Sequence, residues 1–284
     1  MTRPDLPLTE GRRDTDRMSA DAAFTGSIPE LYDTVLVPMV FTDFSADLAA
    51  HVATGDPATV LETAAGTGAL TRELHRILPE ATITATDLNP AMLGQAAKAL
   101  PASERIRWQQ ADAQSLPFED ESFDAVVNQF GLMFVPDRAR AYAEARRVLR
   151  PGGRLSAAVW STLEDNEAAL LVEQALASLF PGRPPRFFRR VPFAYNDEDL
   201  IRSELEAAGF SGIAAHTVEH QNAPASARAI AVSHVRGTPL ANELSEGYGD
   251  LGRITEEVAR LLEARFRGVP FAGKTSAVFL TGAA

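Results

Sequence analysis

Glu62-Thr63-Ala64-Ala65-Gly66-Thr67-Gly68 lies between a short apolar run at 58–63 (ATVLET) and a helical stripe of Leu70, Leu74, Ile77 and Leu78. A strand that turns on glycines straight into a helix opens a βα unit. Gly66 and Gly68 permit a tight turn and leave no Cβ between backbone and ligand. The helix that follows aims free N–H groups and the positive end of its dipole at that ligand. Outward from this turn the rhythm repeats. Residues 82–87 (TITATD) read as a second strand ending in Asp87, and Pro90 opens a helix where a missing N–H costs nothing. Residues 106–112 (IRWQQAD) and 123–129 (FDAVVNQ) are the third and fourth strands. A helix over 136–149 is stopped by Pro151-Gly152-Gly153, and 154–160 (RLSAAVW) is a fifth strand. Strands alternating with helices predict an α/β fold, a doubly wound, mostly parallel sheet with right-handed crossovers.

The flanks are built differently. Residues 1–21 are polar, with Pro4 and Pro7, and read as a flexible N-terminal tail. Over 22–52, apolar residues from Ile28 to Leu48 recur at spacings of three and four, which predicts short amphipathic helices forming an N-terminal lid. Residues 53–160 form the ligand-binding core. After Trp160 come a helix at 166–180, a Pro- and Arg-rich loop at 181–196, and a helix at 197–208 closed by Gly209. A strand at 212–220, two helices around a Gly/Pro-rich linker within 224–267, and a strand at 276–281 complete the chain. The reading is a single domain over 22–284, with 161–196 and 224–267 as a helical cap on the substrate side.

Composition removes several chemistries. The 284 residues carry 27 Lys+Arg against 38 Asp+Glu, a net charge of −11. No basic stripe offsets this, so nucleic acid is disfavoured as a partner. There is no cysteine, which excludes disulfide frameworks, thiolate metal sites and cysteine nucleophiles. The five histidines form no HExxH, and no metal is expected. No apolar run approaches the roughly 18 residues of a membrane span. The N-terminus has no apolar signal region, so no membrane partner and a cytoplasmic location are expected.

Two further acidic residues sharpen the ligand. Asp87, 25 positions after Glu62, is placed to accept hydrogen bonds from two ribose hydroxyls. Asp112 ends the third strand within Gln110-Ala111-Asp112-Ala113-Gln114. A dinucleotide fold does not require it, and it suits an adenine amino group, with small Ala113 leaving room for the ring. Together with Val60-Leu61-Glu62, Phe123-Asp124-Ala125-Val126-Val127 and Arg147-Val148-Leu149-Arg150-Pro151-Gly152-Gly153, these residues resemble the class I S-adenosylmethionine-dependent methyltransferases, in particular the ubiquinone/menaquinone-biosynthesis-type and small-molecule branch. The resemblance covers about residues 24–161. One departure stands out: Ala64 occupies the position of the family's first glycine.

The resemblance implies a seven-stranded Rossmann-like sheet with helices on both faces and an antiparallel final hairpin at one edge. It implies S-adenosylmethionine as cofactor and S-adenosylhomocysteine as product. Glu62 would orient the methionine amino group, and Gly66, Thr67 and Gly68 would pass beside the cofactor, with Ala64 at the turn. Asp87 would hold the ribose, Leu88 and Met92 would pack on the adenine, and Asp112 and Ala113 would read its edge. Asn128, Gln129 and Phe130 would lie near the methyl group, and Tyr32 would cap the methionine moiety.

The partner expected is a small-molecule acceptor, bound by 24–44, 161–196 and the C-terminal helices. Phe187, Phe188, Phe193 and Tyr195 offer aromatic surface, and Arg183, Arg186, Arg189 and Arg190 form a local basic cluster. A hydroxyl acceptor would call for a base, for which His216, His220 and His234 are the candidates; no catalytic residue is assigned. Asn128-Gln129-Phe130-Gly131 lacks the Pro-Pro-Tyr of the adenine- and glutamine-N-methylating branches. Rival readings are a cofactor-binding relative without methyl transfer, acting as a cyclase or sensor, and an NAD(P)-dependent oxidoreductase. The latter predicts glycine at 64 and leaves Asp112 without a role. A protein or RNA methyltransferase is disfavoured by the acidic balance, and a homodimer is left open.

Overall fold

The computed structural model describes residues 20–284. The tail expected over 1–21 therefore lies outside the described residues up to position 19. Its last two residues are anchored: Asp21 pairs with Arg190, and Asn242 Nδ2 donates to the Ala20 carbonyl.

Seven strands form one sheet in the order β3-β2-β1-β4-β5-β7-β6. They are β1 (Thr59–Thr63), β2 (Thr82–Asp87), β3 (Ile106–Gln110), β4 (Phe123–Gln129), β5 (Leu149–Trp160), β6 (Ser211–Gln221) and β7 (Lys274–Ala283). β1 to β5 pair in parallel, and β7 runs antiparallel between β5 and β6. The strand order reverses at β1, whose neighbours are β2 and β4, so the carboxyl ends of these strands border the crevice expected of such a fold. The final pair is not a hairpin in sequence, because the cap segment separates β6 from β7.

Helices fill the connections: α2 (Ala69–Ile77), α3 (Pro90–Ala99), α4 (Arg138–Val148), α5 (Glu167–Leu179), α6 (Phe187–Arg190) and α7 (Glu198–Ala207). The cap adds α8 (Ala227–Val235), α9 (Leu240–Gly247) and α10 (Leu251–Phe266). That is three helices where the sequence suggested two, because Pro239 and the Gly249-Asp250 turn break the run separately. Pro151-Gly152-Gly153 do not stop a helix either; α4 ends at Val148, and these residues lie inside β5.

The lid differs most from expectation. One helix, α1, spans Ile28–Ala53, and by length and composition it could cross a membrane. Here it is a core element: Phe44, Leu48 and Ala49 are buried, and its C-terminal part packs beside α2. Its middle, Tyr32–Phe41, is wound as a π-helix around Pro38. Spacings of three and four presume an α-helical turn, so they indicate neither this wider winding nor the continuity of the helix. A continuous hydrophobic core runs from Leu36 in this helix to Leu280 in β7.

Candidate active site

Strand β1 delivers the Glu62 side chain, 1% exposed, to the floor of a cleft at the carboxyl ends of β1, β2 and β3. Its Oε2 accepts from Thr71 Oγ1 at 2.5 Å. Burial pushes this carboxyl up to about 8 against that hydrogen bond. After it the chain turns through Ala64 (φ 54°) and Gly66 (φ 57°) in the left-handed region. An alanine there is strained in principle. Room for its methyl comes from the opposite side, where a Cβ on Gly131 would sit 2.4 Å from it. The glycine missing at 64 is thus matched by a glycine at 131.

The turn is tied to the second strand. The Gly66 N–H donates to Asp87 Oδ2 and the Asn89 N–H to Asp87 Oδ1, both at 2.8 Å. Burial raises the Asp87 carboxyl, opposed by these bonds. Asp112 accepts from the Gln114 N–H at 2.8 Å in a turn just beyond β3. Met92 approaches the bare face of Gly66, and Leu88, 53% exposed, stands at the mouth.

The lid closes over this floor. Phe24 donates its N–H to Asn89 Oδ1, and Asn89 Nδ2 donates to the Ala22 carbonyl. The Phe24 ring meets Tyr32 and Phe134 edge-on. Burial, with Asp87 nearby, holds the Tyr32 phenol well above its ordinary range. Beyond Tyr32 the cleft opens into an aromatic chamber. Phe130 and Trp160 stack with centroids 3.6 Å apart and planes 5° from parallel, and Phe41 meets both edge-on. Phe187, Phe188 and Phe193 line the cap side, with Asn166, Asn222, His234, Thr238 and Thr275 as its polar groups. Cleft and mouth together, with the open solvent between their walls, span about 1520 Å³.

Of the residues singled out from sequence, Tyr32, Glu62, Ala64, Gly66, Thr67, Asp87, Leu88, Met92, Asp112, Ala113, Gln129 and Phe130 line this one cleft. Gly68 does not. It starts α2 at φ 79°, and a Cβ there would meet Trp108 at 2.7 Å, so it serves helix–strand packing. Asn128 is turned inward: Nδ2 donates to the Thr63 carbonyl and Oγ1, while Oδ1 accepts from the Gly131 and Leu132 N–H groups. It holds the loop after β4 in shape. His216 and His220 sit on β6 outside the cleft, His220 bonded to Asp47 at 2.8 Å; His234 lines it. Of the arginine cluster, exposed Arg189 pairs with Glu164 and Glu173, and half-buried Arg190 with Asp21 and Glu243, while Arg183 lies over the Tyr248 ring; none of the four lines the cleft among the described residues. Tyr195 lies behind the chamber, bonded to Tyr142 and Glu204.

Sequence reasoning missed Asn89, Gly131, Trp160 and Asn222. Trp160 had a usable signal, since it ends a strand on the same edge of the sheet; Asn222 had none. Three buried polar atoms at the cleft, Thr67 Oγ1, Gln129 Nε2 and Asn222 Oδ1, have no partner among the described residues. Buried polar atoms are normally paired, so these fit a polar ligand.

The chemistry of the floor and the comparisons with known proteins agree. A family profile described as a methyltransferase domain matches residues 61–157. The ubiquinone/menaquinone biosynthesis C-methyltransferase of Stutzerimonas stutzeri is 31% identical over 172 residues, covering 56% of this chain and 67% of that protein. The malonyl-[acyl-carrier protein] O-methyltransferase of Geobacter sulfurreducens is 32% identical over 221 residues, covering 75% of this chain and 78% of that protein. Among solved structures, phosphoethanolamine N-methyltransferase 2 of Haemonchus contortus, in complex with S-adenosylmethionine, aligns with a TM-score of 0.59 at 13% identity. It covers 98% of this chain and 61% of that one, and the likeness is one of fold. The extent of the match to the Geobacter enzyme, together with the domain profile over the β1–β5 core, carries the assignment: the chain belongs to the class I S-adenosylmethionine-dependent methyltransferases.

Proposed function

We propose that this methyltransferase acts in the cytoplasm on a small molecule held in the aromatic chamber. The observation that carries this reading is continuity: the acidic strand ends and the aromatic chamber belong to one cleft. A cap built from the same chain roofs it, leaving room for a compact acceptor. Bound S-adenosylmethionine would supply an electrophilic methyl on sulfur.

The chain's own residues divide the work. Glu62 and Thr67 hold the methionine end, and Asp87 takes the ribose hydroxyls with the lone pairs its two backbone bonds leave free. Asp112 and Ala113 meet the adenine edge, while Leu88 and Met92 cover its faces. Tyr32, Gln129 and Phe130 border the passage to the chamber. Holding the acceptor in line and excluding water are the protein's main contributions to rate.

Calorimetry with S-adenosylhomocysteine and NADH tests the cofactor, with binding expected for the first alone. A filtered pool of cellular small molecules, incubated with enzyme and methyl-labelled cofactor, should acquire label. Label appearing only in a protein or RNA fraction would sink the small-molecule reading.

A further inference from the structure

Among the described residues, His234 is the one titratable side chain lining the cap side of the cleft, and it is 6% exposed. Its Nδ1 lies 3.0 Å from the Ile230 carbonyl and 2.9 Å from Ser233 Oγ. A carbonyl can only accept, and Ser233 Oγ already gives its proton to that same carbonyl. Nδ1 therefore carries the imidazole proton, which leaves a lone pair on Nε2. Nε2 has no hydrogen-bond partner among the described residues, and the ring is held by helix α8 and edge-on against Phe188 at 6.1 Å. Burial keeps the imidazole neutral, pushed down to about 4, and no charged side chain contributes to that shift.

The surroundings restrict what can sit against Nε2. Among the described residues no Lys or Arg lines the cleft, and its acids, Glu62, Asp87 and Asp112, stand at the cofactor end. A cationic acceptor in the chamber would be desolvated beside a cationic sulfonium, and an anionic one would have no protein cation to hold it before the cofactor is bound. Ring contacts run unbroken from His234 through Phe188, Phe193, Trp160 and Phe130. Such a wall receives a flat apolar molecule. Asn222 Oδ1, buried and unpartnered, is a second acceptor at this end.

Building on the small-molecule reading, we propose that the acceptor is a neutral hydroxyaromatic compound methylated on oxygen, and that His234 Nε2 is the base that takes its hydroxyl proton. The oxygen keeps the O–H electron pair as its proton passes to Nε2. A lone pair of that oxygen forms the bond to the methyl carbon, and the carbon–sulfur pair stays with the departing thioether. One positive charge, on sulfur before and on imidazolium after, is present throughout. The low basicity of a buried imidazole is therefore not a barrier, because no net charge is created in the apolar chamber. Water entering through the open mouth of the cleft then carries the proton away.

The test uses the full chain saturated with S-adenosylhomocysteine, with 1-naphthol and 1-methoxynaphthalene as probes of equal shape. Wild type should bind the naphthol about tenfold more tightly, the worth of one hydrogen bond. His234→Leu should abolish the preference with S-adenosylhomocysteine affinity unchanged. His234→Gln keeps an acceptor but not a base. It should retain naphthol binding and lose at least about a hundredfold in transfer of labelled methyl to 1-naphthol. If His234→Leu does not fold, His234→Gln decides. Equal binding of both probes, binding of neither, a preference surviving in His234→Leu, or transfer in His234→Gln within threefold of wild type would each overturn the proposal. Failure of wild type to bind S-adenosylhomocysteine would strike the cofactor assignment instead.

Discussion

The floor of the cleft and its cap bury ionisable groups of opposite kinds. At the floor, Glu62 is a carboxyl kept protonated by burial; in the cap, His234 is an imidazole kept neutral by burial. Both environments reject charge before a ligand arrives, yet they bias stability in opposite directions with pH. The floor is organised by backbone N–H groups on carboxylates, the cap by rings. On the proposed reading, a cationic cofactor would relieve the first and a hydroxyl donor would complete the second.

The largest expected effect separates them by titration. Glu62 titrates near 4.5 when unfolded and about 8 when folded. Its contribution is full below pH 4.5 and lost as pH rises through 8, a change on the order of 4–5 kcal/mol. The stability gap between wild type and Glu62→Gln, from urea unfolding, should therefore move against wild type across that window. His234 has the reverse sign. Its folded value near 4 lies below its unfolded 6.5, so its contribution is full above pH 6.5 and lost as pH falls through 4. The gap to His234→Leu should change by about 3 kcal/mol. Gaps that do not vary with pH would erase the contrast.

Ligand binding sharpens the same division. Asp87→Ala removes the acceptor of the Gly66 and Asn89 N–H groups. It should weaken S-adenosylhomocysteine binding about tenfold to a hundredfold in calorimetry, since hydrogen bonds to a charged group contribute about 1.5–3 kcal/mol. Phe193→Ala, on the cap side, should leave that affinity within about twofold. Comparable losses in both would mean that the two regions are not separate sites.

The smallest effect concerns the seam between them. Gly131→Ala places a methyl against Ala64, and overpacking of this kind costs about 1–3 kcal/mol. Ala64→Gly in the same chain should recover part of the lost melting temperature, the remainder coming from the new methyl against Asn128 Nδ2 at 2.9 Å. Simple additivity in this cycle would refute the proposed pairing.

What was legible in the sequence follows the same division. The floor is local: Glu62, Gly66, Asp87 and Asp112 fall at strand ends whose alternation is visible along the chain. Asn128 looked the same by position, but the Gly131 and Leu132 N–H groups and the Thr63 oxygens turn it inward. The chamber is assembled from residues as distant as Phe41, Trp160, Asn222 and His234, and no period links them. His234 could be picked out from sequence only as one of three histidines. Burial and the Ile230 carbonyl distinguish it, and neither is written in its local sequence.

The π winding of Tyr32–Phe41 gives the lid a dependence on length. Tyr32 and Phe41 touch, with ring centroids 5.2 Å apart, although they are nine positions apart. At about 100° per residue an α-helix would put them on opposite sides, whereas at about 4.4 residues per turn the wider helix returns them to the same side. The wall they form is thus encoded in residue count as much as in residue type. An apolar exchange there alters the wall's texture, but adding or deleting one residue rotates everything on one side of the change relative to the other. Enzymes sharing this floor could diverge in acceptor through such a change in length, a coarse adjustment distinct from point substitution.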